Sequence, residues 1–94
     1  MNIEIKHDEK NRKFFSVIDG KEARLGYEII NGKTIEFPFT YVPQSLRGKG
    51  IAAKLVEYGL DYARSNNLSV IPSCSYVESF IQRNQKYKDL VIET

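Results

Sequence analysis

The sequence predicts an α+β domain: an antiparallel meander, then a strand–helix–strand unit with a parallel strand pair, then a short C-terminal helix. Three observations carry this. Two turn dipeptides, Asp19-Gly20 and Asn31-Gly32, lie between alternating apolar stretches. After Pro43 the apolar period lengthens from two residues to nearly four. A short β-branched run, LSVIP, follows that helical segment. Alternation marks half-buried strands, whereas apolar residues at three- and four-residue steps mark one face of a helix.

The strands come first in chain order. NIEIK alternates and is expected as an edge strand. KFFSVI, ARLGYEII and KTIEFPFTYV follow, separated by the two turn dipeptides. Asp-Gly and Asn-Gly accept positive φ at both turn centres, as tight two-residue hairpins require. Pro38 has no amide hydrogen, so a break or bulge is expected there in the fourth strand. Ile51, Leu55, Tyr58, Gly59, Tyr62 and Ala63 then form one helical stripe. Gly59, about 1 kcal/mol less favourable than Ala in a helix, is expected to permit close packing on the sheet. Asn66-Asn67 ends the helix. LSVIP reads as a buried strand, joined by a right-handed crossover to a parallel neighbour. Ser75 and Glu78 have capping-box spacing, which predicts a helix from near Tyr76 to near Asn84 that buries Val77, Phe80 and Ile81. YKDLVIE reads as either a helical turn or a short edge strand. His7 is expected to be a solvated strand residue.

The chain of 94 residues suits one domain, residues 1–94, with one core. Hydrophobic residues form 41% of it and aromatic residues 12%, enough for a packed fold. Net charge is +2, and acids interleave with bases, so no nucleic-acid partner is expected. Cys74 is the only cysteine and His7 the only histidine. That excludes an internal disulfide and argues against an imidazole–thiolate metal centre. MNIEIKHDEK carries no apolar leader, and no stretch approaches membrane-spanning length. No membrane partner is expected, and a cytoplasmic location is.

The segment most suggestive of function is Arg47-Gly48-Lys49-Gly50-Ile51-Ala52. Amides in a first helical turn have no internal partner, and the helix dipole adds positive charge there. Two glycines let a bulky anion approach those amides, and two cations stand at the rim. The physical reading is a phosphate or pyrophosphate cradle. The plainer one is a strand-to-helix turn with solvated charges. No Lys-Ser or Lys-Thr follows the second glycine, so the P-loop pattern is missing. The acidic residue of a dinucleotide fingerprint is missing too, with SVIPS in its place.

The same six residues resemble the Gln/Arg-x-x-Gly-x-Gly/Ala acyl-CoA signature of the GCN5-related (GNAT) N-acetyltransferases. The resemblance runs from about Glu22 to Val91 and is sharpest in TYVPQSLRGKGIAAKLVEYGLDYAR and VIPSCSYVESFIQRNQKYKDLV. It is most specific to the minimal, single-domain GNAT-like members. It implies a GNAT-like mixed sheet and acetyl-CoA or coenzyme A as the bound substrate. The CoA pyrophosphate would lie on the amides of Arg47, Gly48, Lys49, Gly50, Ile51 and Ala52. The pantetheine arm would follow Tyr41, Val42 and Pro43, and the thioester would lie where the fourth and fifth strands splay. Cys74 falls at the position of the family's candidate catalytic cysteine, near a helix start that favours thiolate. The implied activity is acetyl transfer from acetyl-CoA to an unidentified amine, small or protein-borne, by a monomer or weak homodimer. One departure stands out. Where such members read His-Thr-Glu-Val-Pro, this chain reads Phe39-Thr40-Tyr41-Val42-Pro43. Phe39 and Tyr41 are expected to share a strand face that looks towards Cys74. Phenylalanine moves no proton, so the alternative is a CoA-binding module with little transferase activity. A third reading is an interaction domain that keeps the fold alone.

Overall fold

Asp19 and Gly20 take φ of 53° and 74°, and Asn31 and Gly32 take 53° and 67°. These are the tight hairpin turns that the two dipeptides predict. The computed structural model describes residues 3–92. Its strands are β1 (Lys6–Asp8), β2 (Lys13–Ile18), β3 (Lys21–Gly26), β4 (Glu28–Ile30), β5 (Thr34–Glu36), β6 (Thr40–Tyr41) and β7 (Ser69–Ile71). Helix α1 covers Ile51–Ser65 and α2 covers Ser75–Arg83.

Two of the expected strands are each cut in two. The third breaks at Tyr27, whose amide donates to the Arg12 carbonyl at 2.9 Å while its ring is buried. The fourth breaks around Pro38, as the missing amide hydrogen foretells. The fragments then part company. One sheet has the order β1-β2-β3-β6 and the other β4-β5-β7. Among the strands named, β5 and β7 alone pair with each other in parallel, across the α1 crossover. The parallel pairing ends where Phe37 donates to the Ile71 carbonyl at 3.1 Å. Beyond that point β6 turns to β3, and a gap opens between β6 and the segment after β7.

Residues Phe14, Leu25, Ile35, Phe37, Leu55, Leu60, Val70 and Val77 have no exposed surface and form the centre of one core. Gly59 makes the helix–sheet approach possible: a Cβ there would stand 2.8 Å from Leu25 Cδ2 and 3.1 Å from Phe37 Cε1. Helix α1 packs on the Phe14–Leu25 face of the four-stranded sheet. Val17, Phe39 and Tyr41 are exposed; cross-strand pairing puts Tyr41 beside Arg24 on the other face.

Three expectations at the ends are corrected. Strand β1 begins at Lys6; Ile3 and Ile5 pack against the core without pairing, and Asn2 lies outside the described residues. The Asp8 carboxylate accepts the Asn11 amide at 3.0 Å and its side-chain nitrogen at 2.9 Å, closing the turn that fixes this register. His7 therefore faces Phe14, not solvent. It is half-buried, shares a hydrogen bond with the Tyr27 hydroxyl, and lies 4.8 Å from the Tyr62 ring. Helix α2 begins one residue early. Cys74 is its N-cap, and Ser75 makes no cap bond, because the Phe37 carbonyl holds the Cys74 amide at 2.8 Å. Both readings of YKDLVIE are realised in succession: Gln85–Leu90 forms 3₁₀ turns, and Val91 then bridges to Val70 in parallel.

Two tyrosines lock these ends. Burial pushes the Tyr27 hydroxyl up to about 12. Burial, with a hydrogen bond to Asp61 at 2.8 Å, does the same for Tyr87. Both are neutral in the fold at pH values where an unfolded tyrosine, near 10, ionises. The unfolded state then binds fewer protons, so stability falls as pH rises. Urea denaturation is expected to give constant stability from pH 7 to 9. A progressive loss should follow between about 10 and 12, with each tyrosine contributing a slope of at most about 1.4 kcal/mol per pH unit. Tyr87→Phe should cost about 1 kcal/mol at neutral pH and make the alkaline loss shallower.

Candidate functional site: a cavity at the start of the first helix

Segment 42–52 builds the cavity from backbone geometry. After β6 the chain makes a 3₁₀ turn, Gln44–Leu46, and then passes through Gly48 at φ 80° and Gly50 at φ 77°. Positive φ at both explains the glycines. Gly50 is the N-cap of α1 and makes no side-chain cap bond, and the first turn holds no acidic residue. A Cβ on Gly48 or Gly50 would meet nothing within 4 Å. Neither glycine is walled in, and the first-turn amides of α1 have no intrahelical partner, as an anion cradle needs.

That space is a cavity of about 230 Å³. Val42 and Leu46 wall one side, Gly48, Gly50, Ile51 and Ala52 the helix end, and Tyr76 of α2 the other side. Six of the expected ligand-binding residues thus come together: Val42, Arg47, Gly48, Gly50, Ile51 and Ala52. Three do not line it. Lys49 is exposed at the loop tip. Tyr41 and Pro43 line a separate groove. Arg47 does more than stand at a rim: its Nε donates to the Val42 carbonyl at 2.9 Å, tying the loop to the end of β6.

Two residues before Tyr76, the half-buried Cys74 reaches Thr40, with Sγ and Oγ1 3.5 Å apart. Cys74 is thus at the gap where β6 and β7 separate. The neighbour expected there was Phe39 or Tyr41, and this is corrected. Phe37 is buried, Pro38 and Phe39 are both exposed, and Thr40 pairs with the buried Leu25. The break at Pro38 adds one outward residue and inverts the alternation beyond it. Phe39 and Tyr41 do share a face, but it is the one away from Cys74. Phe39 covers Gly26, and Tyr41 lies under Arg24.

One participant is read from the sequence mainly as packing, and a second is not singled out there at all. Tyr76 lines the cavity, although its helical position suggests simple packing. Glu36 accepts the Ser73 hydroxyl through Oε2, and Ser73 adjoins Cys74. Glu36 lies directly opposite Glu28 across the β4–β5 pair; Glu28 has Arg12 at 3.2 Å, whereas no cation pairs with Glu36 among the described residues. The signal in the sequence is one carboxylate inside the apolar run KTIEFPF.

The chain matches the family model described as GCN5-related N-acetyl-transferase over residues 13–90. It belongs to the GCN5-related N-acetyltransferase family. The GNAT match runs from the first residue of β2 to the end of the last 3₁₀ turn, and so includes the loop, the cavity and Cys74. Among curated proteins the chain is similar to Protein NATD1 of Xenopus tropicalis, 32% identical over 85 residues, covering 88% of this chain and 78% of that one. Protein NATD1 of Homo sapiens is 30% identical over 84 residues, covering 87% and 74%. Among solved structures, the NMR solution structure of a GCN5-like protein from Staphylococcus aureus superposes with a TM-score of 0.76 at 29% identity, covering 99% of this chain and 91% of that one. The α+β GNAT-like fold expected from the sequence is the one found. Among the described residues no helix is long and apolar enough to cross a membrane, and no cluster of three His, Cys, Asp or Glu is suited to a metal.

Proposed function

We propose that this GNAT domain binds acetyl-CoA in the cavity at the start of α1 and transfers its acetyl group to an amine. The observation that carries the reading is the pair of left-handed glycines, Gly48 and Gly50, at the start of α1, beside a cavity that Val42 and Tyr76 also line, Tyr76 being two residues along the chain from Cys74. A pyrophosphate suits the first-turn amides of α1. The pantetheine arm follows Val42, on the side away from Tyr41. Its thioester then reaches the gap beside Thr40 and Cys74. The Val42 carbonyl is engaged by Arg47, so Val42 contributes its amide and side chain.

The chemistry is direct transfer. The amine nitrogen attacks the thioester carbonyl, the C–N bond forms, the C–S bond breaks, and CoA leaves as a thiolate. The proton lost by the ammonium goes to Glu36, the carboxylate that accepts from Ser73 beside Cys74, and finally to the leaving thiolate or water. The thioester supplies the activated acyl group, and the chain supplies position and a proton acceptor. Cys74 borders the thioester. A thiol acting as acyl carrier needs a base beside it, and its neighbour here is the Thr40 hydroxyl; His7 is engaged with Tyr27. A single free cysteine suits a reducing compartment such as the cytoplasm.

A thiol alkylating reagent tests the location. It should modify Cys74 in the free protein, and saturating CoA should slow the reaction at least about tenfold. After incubation with acetyl-CoA, intact mass should show no acetyl adduct. A stable adduct lost in Cys74→Ala would make Cys74 the acyl carrier. Alkylation at equal speed with and without CoA would put the thioester elsewhere.

A further inference from the structure

The face of the four-stranded sheet turned away from α1 carries groups that acetyl-CoA binding leaves unused. Register aligns Phe15, Arg24 and Tyr41 in one row across it. The Arg24 guanidinium stacks 4.7 Å above the Tyr41 ring. Beside this pair runs an open groove of about 770 Å³ whose wall includes Lys21, Glu22, Gln44 and Ser45. A second depression of about 420 Å³ continues it past Gly26 and Phe39, sharing Glu22 and Arg24 with the first. One segment divides groove from cavity: Val42 and Leu46 face the cavity, while Tyr41, Pro43 and Ser45 face the groove. A chain lying in the groove is therefore one strand away from the thioester.

The charges select the occupant. The two depressions carry four cations, Arg12, Lys13, Lys21 and Arg24, against two carboxylates, Glu22 and Glu28. Glu22 is held by Lys13 at 2.9 and 3.0 Å, and Glu28 pairs with Arg12 at 3.2 Å. Lys21 donates to the Ser45 hydroxyl at 2.8 Å, and Arg24 comes no closer than 3.8 Å to Glu22. In the larger groove Lys21 thus has no carboxylate partner among the described residues, and Arg24 shares Glu22 with Lys13 at the longer distance. Arginine and lysine beside a hydroxyl and an amide fit a carboxylate. The half-exposed rings of Phe39 and Tyr41 fit the apolar stems of a polypeptide. A phosphodiester backbone carries a charge at every unit and would set several beside Glu22 and Glu28, whereas the one or two acidic side chains of a peptide need meet only Lys21 and Arg24. A small free amine would touch little of so open a groove, whereas an extended chain spans both depressions.

We propose that the groove holds an acidic stretch of the acceptor, which makes the acceptor a polypeptide whose reactive amine is flanked by Asp or Glu. This rests on the acetyl-transfer reading above and leaves its bond changes unaltered. The test uses the intact chain, acetyl-CoA and three peptides alike except that the acceptor lysine is flanked by Glu, Ala or Arg. Transfer is read by mass spectrometry, and docking by amide and Arg24 side-chain resonances in the CoA-loaded protein. The Glu peptide should be acetylated at least about tenfold more efficiently than the Ala peptide, with the Arg peptide last and the differences shrinking in salt. It should also move the Arg24 and Tyr41 resonances, even where transfer is slow. Lys21→Glu with Arg24→Glu should reverse the order while the CoA-induced melting shift persists; Arg24→Gln, a milder change, should flatten it. Equal treatment of the three peptides with no resonance moved, free glutamate acetylated as well as the peptide, or an RNA oligonucleotide binding the groove more tightly than the acidic peptide would each overturn the proposal. No melting shift with CoA would sink the acetyl-transfer reading instead, and the peptide titration of the free chain would still report on the groove.

Discussion

Saturating acetyl-CoA should raise the melting temperature of this domain by roughly 10–20 °C. Ligand at a hundred times its dissociation constant adds about 2.7 kcal/mol, and each kcal/mol moves the midpoint of so small a domain by about 4–8 °C. The variant that separates binding from folding is Ala52→Glu. Ala52 is the second residue of α1 and lines the cavity. A carboxylate in a first turn favours the helix by a few tenths of a kcal/mol, so the free protein should melt no lower. The same carboxylate faces the pyrophosphate. Two like charges about 5 Å apart at an effective dielectric near 20 repel by about 3 kcal/mol, which is a loss of affinity of about a hundredfold. Differential scanning fluorimetry should find the shift nearly abolished in Ala52→Glu. Gly50→Val is a poorer test, since φ of 77° strains any β-branched residue before ligand is added.

Glu36→Gln should lower the rate of acetyl transfer about 10²–10⁴-fold, the usual contribution of a general base. The change keeps size and lets the amide still accept the Ser73 hydroxyl. The acetyl-CoA melting shift should be unchanged, because Glu36 is not among the residues that line the cavity. The residual rate should rise with pH as free amine accumulates. Turnover by Glu36→Gln within about threefold of the parent at neutral pH would remove Glu36 from the reaction. Phe39→His, which puts an imidazole on the face away from Cys74, should leave transfer within the same narrow range.

Most of the fold could be read from the sequence because local chemistry dictates it. Asp19-Gly20 and Asn31-Gly32 can be little other than tight turns, and the stripe from Ile51 to Ala63 can hardly be other than a helix face. Gly48 and Gly50 announced the left-handed turns before α1 for the same reason, since only glycine takes those angles easily. What could not be read depends on counting past an irregularity. Pro38 marks a break, but the number of residues that turn outward there decides whether Phe39 or Thr40 meets Cys74. Alternation alone cannot supply that number. The N-cap of α2 was likewise set at a distance, by the Phe37 carbonyl holding Cys74, against a local Ser75–Glu78 pattern that favoured one residue later. His7 looked solvated because its partners, Phe14, Tyr27 and Tyr62, are spread along the chain. Glu36 went unnoticed because an unpaired carboxylate is recognised only once every neighbouring cation is known.

The central claim is that acetyl-CoA lies between the glycine loop and Tyr76 with its thioester beside Cys74. Titration of the ¹⁵N-labelled chain with acetyl-CoA, followed amide by amide, tests it most directly. The amides of Gly48, Gly50, Ile51 and Ala52 should move most, Val42, Cys74 and Tyr76 next, and those of Lys21 to Arg24 on the outer face hardly at all. Saturation with no change at Gly48–Ala52, or with the largest changes in the separate cavity bounded by Pro72, Ile81 and Val91, would contradict it.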